Sequence, residues 1–173
     1  MTSSDIGLLV LRLVIGLTMS AHGAQKAFGW WQGSGWAGWR AVMVRMGFRP
    51  ATVWGVIAIA AELVGGLLLA IGFLTPLGAM ALLGQSVVII IQAHWSRGFW
   101  GRDGGFEFPL SLAAGVIAIV GTGAGALSLD ALLGISWPVE LRLALAALGV
   151  LGGLAGIAIA RMFTAPKPAE TPG

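Results

Sequence analysis

Long apolar runs separated by short polar segments make up most of this chain. Such runs predict transmembrane helices when they approach the ~20 residues that an α-helix needs to cross the hydrocarbon core of a bilayer. The five predicted spans are about 6–28, 53–73, 77–95, 106–122 and 139–160. The fourth run is the shortest, and it crosses only if Phe106 and Thr122 are included. None of the runs has the polar face that a helix of a soluble bundle would carry.

The connection between the first two spans has an amphipathic pattern instead. Its large apolar side chains recur at helical spacing, while its arginines lie elsewhere around the turn. This pattern predicts a helix at about 34–47 that lies in the interface between lipid and water. We expect a four-helix transmembrane bundle in residues 1–135, an appended fifth transmembrane helix in 136–162 and a disordered, proline-rich tail in 163–173.

Composition supports an all-α polytopic membrane protein. Hydrophobic residues make up 57% of the chain and charged residues only 10%, whereas soluble domains contain about 25% charged residues. The chain has no cysteine, which excludes disulfides, zinc–thiolate sites and iron–sulfur ligation by its own residues. Nucleic-acid binding is a poor interpretation of the net charge of +3, because the charges are spread among apolar segments.

The positive charges predict an orientation in the membrane. With five spans, the first and third loops and the C-terminus share one side, and most of the basic residues lie there. They are Arg40, Arg45, Arg49, Arg97, Arg102, Arg161 and Lys167. The opposite side has only Arg142 near a helix end. Because cytoplasmic loops carry an excess of Lys and Arg, we expect the N-terminus outside and the C-terminus in the cytoplasm.

Ionisable residues inside a membrane are costly, so each one is a candidate for function. Arg12 lies in the outer half of the first span, His22 and Lys26 lie near its inner end, and Glu62 lies near the middle of the second span. Glu62 could pair with either end of the polar face of the first helix. One interpretation is a buried Arg12–Glu62 ion pair that only joins two helices. In the other, Arg12 positions the carboxylate of Glu62 in a ligand pocket.

Further polar residues fall at the predicted inner side. His94 ends the third span, Glu107 opens the fourth, and Gln85 lies within the third, where an interhelical hydrogen bond is its expected role. We expect a ligand pocket formed by His22, Lys26, Glu62 and Glu107, supported by Arg12, His94 and Gln85. For His22, Lys26 and Glu107, the alternative is interfacial snorkelling and helix capping.

A membrane-soluble quinone would suit such a pocket, because its carbonyls need hydrogen-bond donors and its reduction needs protons. The two histidines could also ligate haem or chlorophyll, but no further motif favours this, and no metal-ligand cluster is found. The fifth span contains Gly149, Gly152, Gly153 and Gly156 in small-xxx-small patterns. These predict close packing on another helix, in this chain, in an oligomer or in a partner subunit.

The order and spacing of several short motifs resemble the DoxX family of bacterial membrane proteins over about Leu8 to Leu133. The carrying residues are Arg12-Leu13, Gly16, His22-Gly23, Lys26, Gly29, Glu62, Gly65-Gly66, Leu69, Gly72, Thr75-Pro76, Gly105-Phe106-Glu107-Phe108-Pro109, Gly123 and Ser128-Leu129-Asp130. The resemblance implies a four-helix transmembrane bundle associated with membrane redox systems, since the related DoxD proteins are subunits of thiosulfate:quinone oxidoreductase. The fifth helix departs from the usual pattern of the family.

Two hypotheses follow. The first is a subunit of a membrane redox complex that binds quinone or supports electron transfer to it. The second is a structural accessory subunit that has no ligand of its own and docks a larger membrane complex through its fifth helix and inner amphipathic segment. Transport of a small solute is a weaker hypothesis, because no continuous path of polar residues is found.

Overall fold

The structure is a computed structural model that describes residues 2–163. Its helices are α1 (Ser3–Phe28), α2 (Gly35–Arg45), α3 (Ala51–Ile71), α4 (Thr75–Val88), α5 (Glu107–Thr122), α6 (Leu129–Leu132) and α7 (Val139–Met162). A π-helical turn, Ile89–His94, and a 3₁₀ turn, Trp95–Arg97, prolong α4. The predicted tail lies outside the described residues apart from Phe163.

The prediction of an all-α polytopic membrane protein is confirmed. Four helices of the described part are long and apolar enough to cross a membrane: Ser3–Phe28, Ala51–Ile71, Thr75–Arg97 and Val139–Met162. The fourth predicted span, α5, has 16 residues and is shorter than these. It nevertheless runs from one end of the bundle to the other, because the residues that flank it contact opposite ends of the neighbouring helices.

The bundle therefore has two ends. We call one end the loop face: it contains the end of α1, the helix α2, and the loop 98–105, which joins α4 to α5. At the turn face, α1 begins, Gly72–Leu74 joins α3 to α4, and α6 lies between α5 and α7. Local signals fix these ends, since Thr2 and Asp5 form a capping box at the start of α1. Gly72 ends α3 in the left-handed conformation, with φ 68°.

Small residues hold α1 against α3. A Cβ atom added to Gly23 would lie 2.6 Å from the backbone nitrogen of Leu63, and one added to Gly16 would lie 2.5 Å from the carbonyl oxygen of Gly66. The hydroxyl of Ser20 donates to the carbonyl of Leu63 over 3.1 Å. Small residues on both helices thus let the backbones of α1 and α3 approach closely.

The fifth transmembrane helix packs within the chain rather than standing apart. A Cβ added to Gly149 would collide with the backbone of Met80, and one added to Gly153 would collide with the backbone of Gly84. A Cβ added to Gly156 would lie 3.1 Å from the Cζ3 atom of the Trp54 ring. Three of the four glycines proposed for packing thus serve contacts with α3 and α4, whereas Gly152 meets nothing within 4 Å.

At the turn face, Asp130 ties α6 to the α3–α4 turn. Its carboxylate accepts hydrogen bonds from the backbone of Leu74 (2.9 Å) and from the backbone and hydroxyl of Thr75 (3.0 and 2.7 Å). Its own N–H donates to the carbonyl of Gly72 over 2.8 Å. Both carboxylate oxygens of this buried residue therefore have hydrogen-bond donors, and these bonds hold α6 against the turn between α3 and α4.

Candidate functional site

A cavity of about 1040 Å³ runs along the bundle, from His22 and His94 near the loop face to Leu68 and Leu77 near the turn face. It has two arms. The polar arm lies among α1, α2, α3, α4 and the start of α5, where His22, Lys26, Glu62, Gln85 and His94 line it. The apolar arm lies over α4 between α3 and α7. A large, mainly apolar cavity with a few convergent polar groups is typical of a small-molecule site.

An ion pair between α1 and α3 forms the centre of the polar arm. Lys26 Nζ contacts Glu62 Oε1, and Gln85 Nε2 donates to the same oxygen over 3.0 Å. Glu62 is fully buried, and its second oxygen, Oε2, is buried without a hydrogen-bond partner. Because an unpaired buried carboxylate oxygen is costly, Oε2 is an acceptor that a ligand or a water molecule could satisfy.

Trp39 is part of this site, although the sequence predicts only that the helix carrying it lies in the interface between lipid and water. Lys26 Nζ lies 4.4 Å from the centroid of the indole ring, which is a cation–π contact. The indole N–H donates to the carbonyl of Gly55 over 3.2 Å and so fixes the ring against α3. The sequence signal was the four-residue spacing of Trp39 and Met43, which puts both on the apolar stripe of the predicted helix.

The two histidines line the polar arm at its loop-face end. His22 lies at an exposed position of α1, and its ring packs edge-on against Phe108 at 6.2 Å between centroids. His94 Nδ1 lies 2.6 Å from the carbonyl oxygen of Gly104. Since a carbonyl oxygen can only accept, Nδ1 donates in this contact, and Nε2 is then the acceptor nitrogen of the neutral imidazole. His94 ends the π-helical turn, a feature that is frequent at functional sites.

Glu107 does not line the cavity, contrary to its predicted place in the pocket. Its carboxylate accepts from the backbone N–H of Gly101 over 2.8 Å, and its own N–H donates to the carbonyl of Phe99 over 2.9 Å. It therefore fixes the loop 98–105, from which Gly101, Gly104 and Gly105 line the cavity. The structure gives Glu107 a positioning role in this loop.

The predicted pairing of Arg12 with Glu62 is wrong. Arg12 is fully buried at the turn face, where its guanidinium donates to the carbonyl of Leu127 and lies against Gly72. Its charge is close to Asp130, not to Glu62. The physical reason is the offset of α1 along α3, which brings the inner end of the α1 polar face, Lys26, to the depth of Glu62.

The apolar arm opens to the side of the bundle. Its edges include Ile57 and Val64 of α3 and Leu148 of α7, each about half exposed. Gly152 also lines this arm, and a Cβ added to it would meet no atom within 4 Å. Trp54 and Gly156 close the gap between α3 and α7 towards the loop face. The arm is thus a slot that faces the bilayer, and we call it the α3–α7 slot.

These groups define what the site can do chemically. Lys26 can donate hydrogen bonds, Glu62 Oε2 and neutral His94 Nε2 can accept them, and all three can exchange protons. No cluster of three or more potential metal ligands occurs among residues 2–163. The arrangement suits an amphipathic molecule with a polar, hydrogen-bonding ring and an apolar tail. Whether such a ligand binds stays a prediction.

Comparison with known proteins places this sequence in a family. The sequence profile of the DoxX family matches residues 7–95, slightly more than half of the chain. That segment includes α3, α4, Lys26, Glu62 and His94. An uncharacterized protein of Haemophilus influenzae is 28% identical over 141 residues, which cover 79% of this chain and 89% of that relative. No solved structure gives a significant match. The protein is therefore a multi-pass membrane protein that belongs to the DoxX family.

Proposed function

We propose that this protein binds a membrane-soluble quinone and serves as a subunit of a membrane redox complex. One observation carries the proposal: the unpartnered oxygen of Glu62 and the charge of Lys26 lie in the same cavity as the apolar α3–α7 slot. A quinone combines a ring with polar oxygens and a long apolar tail. The polar arm would hold the ring and the slot would hold the tail.

The chemistry of the polar arm fits both forms of such a ligand. Quinone carbonyls accept hydrogen bonds, which Lys26 can donate, and hydroquinone hydroxyls donate hydrogen bonds, which Glu62 and His94 can accept. Reduction of a quinone takes a pair of electrons and a pair of protons. Side chains of this type carry protons and not electrons, so a redox partner would supply the electrons. This is why we propose a subunit rather than an enzyme acting alone.

The exposed arginines support a location in a bacterial inner membrane with the loop face in the cytoplasm. Arg40 and Arg45 lie in α2, and Arg49 follows it. Arg97 ends the turn that prolongs α4, Arg102 lies in the loop 98–105, and Arg161 lies in the last turn of α7. All six side chains are exposed at the loop face. This excess follows the positive-inside rule and would place the polar arm in the cytoplasmic leaflet.

Titration of the purified full-length protein with a short-chain quinone analogue tests the proposal. The protein has eight tryptophans, and two of them, Trp39 and Trp54, line the cavity, so quenching of fluorescence reports binding. We expect saturable quenching, with half-saturation raised at least about tenfold by Glu62→Gln, which removes a charged partner. Glu140→Gln changes an exposed carboxylate outside the cavity and should leave binding unchanged. Equal binding by the wild type and Glu62→Gln would sink the proposal.

The accessory-subunit hypothesis makes the opposite prediction in the same preparation. A wild-type protein that binds no quinone, and yet co-purifies with other membrane subunits in fixed stoichiometry, would be a structural component. Native mass spectrometry of gently solubilised membranes shows bound small molecules and companion subunits in one measurement. A retained quinone that is lost in Glu62→Gln supports the first function.

A further inference from the structure

The turn face carries a second, smaller cavity of about 250 Å³, separate from the first. It lies between the end of α5, the segment around α6 and the start of α7. Its polar lining comprises Thr75, Thr122, Ser128, Asp130, Ser136, Trp137 and Arg142. The match to the DoxX family profile ends at residue 95, before most of the residues that line this cavity.

Three N–H donors of this cavity are buried without an acceptor. They are Nε and Nη1 of Arg142 and Nε1 of Trp137. The Arg142 side chain reaches from α7 to the end of α5, since a Cβ added to Gly123 would lie 2.9 Å from its Nη1. Buried donors are nearly always satisfied in native proteins by the protein, water or a bound group. Donors that share one cavity can be satisfied by one occupant.

The charge of Arg142 is also uncompensated. Among residues 2–163, ion pairs within 4.0 Å join Lys26 to Glu62 and Arg102 to Asp103, and none includes Arg142. The carboxylate in the cavity, Asp130, is occupied by the backbone and hydroxyl donors of the α3–α4 turn and lies close to the charge of Arg12. Asp5 at the nearby start of α1 accepts from Thr2 and from the backbone of Ala126.

We propose that the turn-face cavity binds an oxyanion of the phosphate class through Arg142 and Trp137. An oxyanion supplies both the negative charge and the several acceptor oxygens that these donors lack, and arginine is the residue that most often binds phosphate. The phosphate could be a free ion on the outer side of the membrane or part of a phospholipid headgroup, because the cavity lies at a membrane interface. The site is independent of the quinone cavity.

Thermal unfolding of the full-length protein tests this site. Protein freed of lipid in a neutral maltoside detergent is titrated with sodium phosphate, or with sodium chloride at matched ionic strength. We expect a saturable rise in Tm with phosphate only, because a ligand that binds the folded state stabilises it. Arg142→Gln should raise the half-saturating concentration by more than about tenfold. Arg161→Gln, an exposed arginine at the other end of α7, should respond as the wild type does.

A second variant covers the case in which Arg142→Gln does not fold. Trp137→Phe keeps the ring and removes only the N–H, and it should weaken the phosphate response by about threefold. A second ligand, short-chain phosphatidylglycerol, distinguishes a lipid headgroup from free phosphate. If native mass spectra show that the wild type retains this lipid and Arg142→Gln does not, and free phosphate gives no rise in Tm, the bound phosphate belongs to a headgroup. If neither probe stabilises the wild type, or if both variants respond as it does, the cavity holds water and the proposal fails.

Discussion

Glu62 is fully buried in a helix of apolar and small residues, and its charge is tolerated there because Lys26 and Gln85 reach the same oxygen. Moving a carboxylate away from water costs several kcal/mol unless a close partner compensates. The pair therefore depends on both members, and removal of one leaves the other charged and poorly solvated.

We expect Glu62→Ala to lower the free energy of unfolding by about 3–5 kcal/mol, since it strands the ammonium of Lys26. The double variant Lys26→Met with Glu62→Gln removes both charges and should recover much of this loss. Unfolding by SDS titration in mixed micelles measures the difference. Asp103→Asn is the matched control, because the Arg102–Asp103 pair is exposed and should contribute little. A double variant no more stable than Glu62→Ala would contradict this account.

At this scale the sequence indicates the members of the site but not their partners. His22, Lys26, Glu62 and Gln85 could be selected because ionisable and amide side chains are rare in transmembrane helices. The choice between Arg12 and Lys26 as the partner of Glu62 depends on how far α1 is displaced along α3, which no pattern within either helix fixes. Trp39 was missed because an interfacial tryptophan and a cavity-lining tryptophan have the same sequence signal.

Among the helices, the packing of α7 on α4 gives the sharpest contrast, since two adjacent glycines of α7 have opposite surroundings. Gly153 is pressed against the backbone of Gly84, whereas Gly152 faces open space in the α3–α7 slot. Gly84 and Val87 leave no room for a side chain at position 153. Introducing leucine at one position or the other therefore distinguishes the effect of disturbed helix packing from the effect of a filled slot.

Gly153→Leu should destabilise the fold by at least about 1–3 kcal/mol, because the added side chain forces the two helices apart. Gly152→Leu should leave the unfolding midpoint nearly unchanged. In the quinone titration, Gly152→Leu should weaken long-tailed quinones more than the short-chain analogue, since it occupies space meant for the tail. Similar unfolding midpoints for the two variants would show that α7 does not pack on α4 in this way.

The helices themselves could be predicted within a few residues, because hydropathy determines which segments leave water. The π-helical turn could not be predicted, since it depends on how the end of α4 meets the loop 98–105. The helices against which the α7 glycines pack could not be predicted either. Small-xxx-small patterns indicate that a helix packs closely, but they do not tell whether the neighbour belongs to the same chain.

In the molecule as a whole, charge is distributed unequally between the two faces. The described arginines are concentrated and exposed at the loop face, whereas Arg12 and Arg142 at the turn face have buried guanidinium nitrogens. The absence of cysteine makes the orientation easy to test, because any introduced thiol is the only one in the chain.

Single cysteines should show opposite access to a membrane-impermeant maleimide. Leu132→Cys, at a turn-face side chain that is 80% exposed, should be labelled in intact spheroplasts. Asp103→Cys, in the loop between α4 and α5, should be labelled only after permeabilisation, since the loop face is proposed to be cytoplasmic. The reverse pattern would invert the topology. Labelling of both from outside would contradict five crossings of the membrane.

The lateral opening of the α3–α7 slot has a consequence for how binding is measured. A hydrophobic molecule would arrive from the lipid phase, where partitioning concentrates it by about 0.8 kcal/mol for each methylene group. Its mole fraction in the bilayer or micelle, rather than its concentration in buffer, then sets occupancy. Doubling the detergent at constant quinone should therefore halve the bound fraction in the unsaturated range, so affinities from different preparations are comparable only when expressed per mole of lipid or detergent.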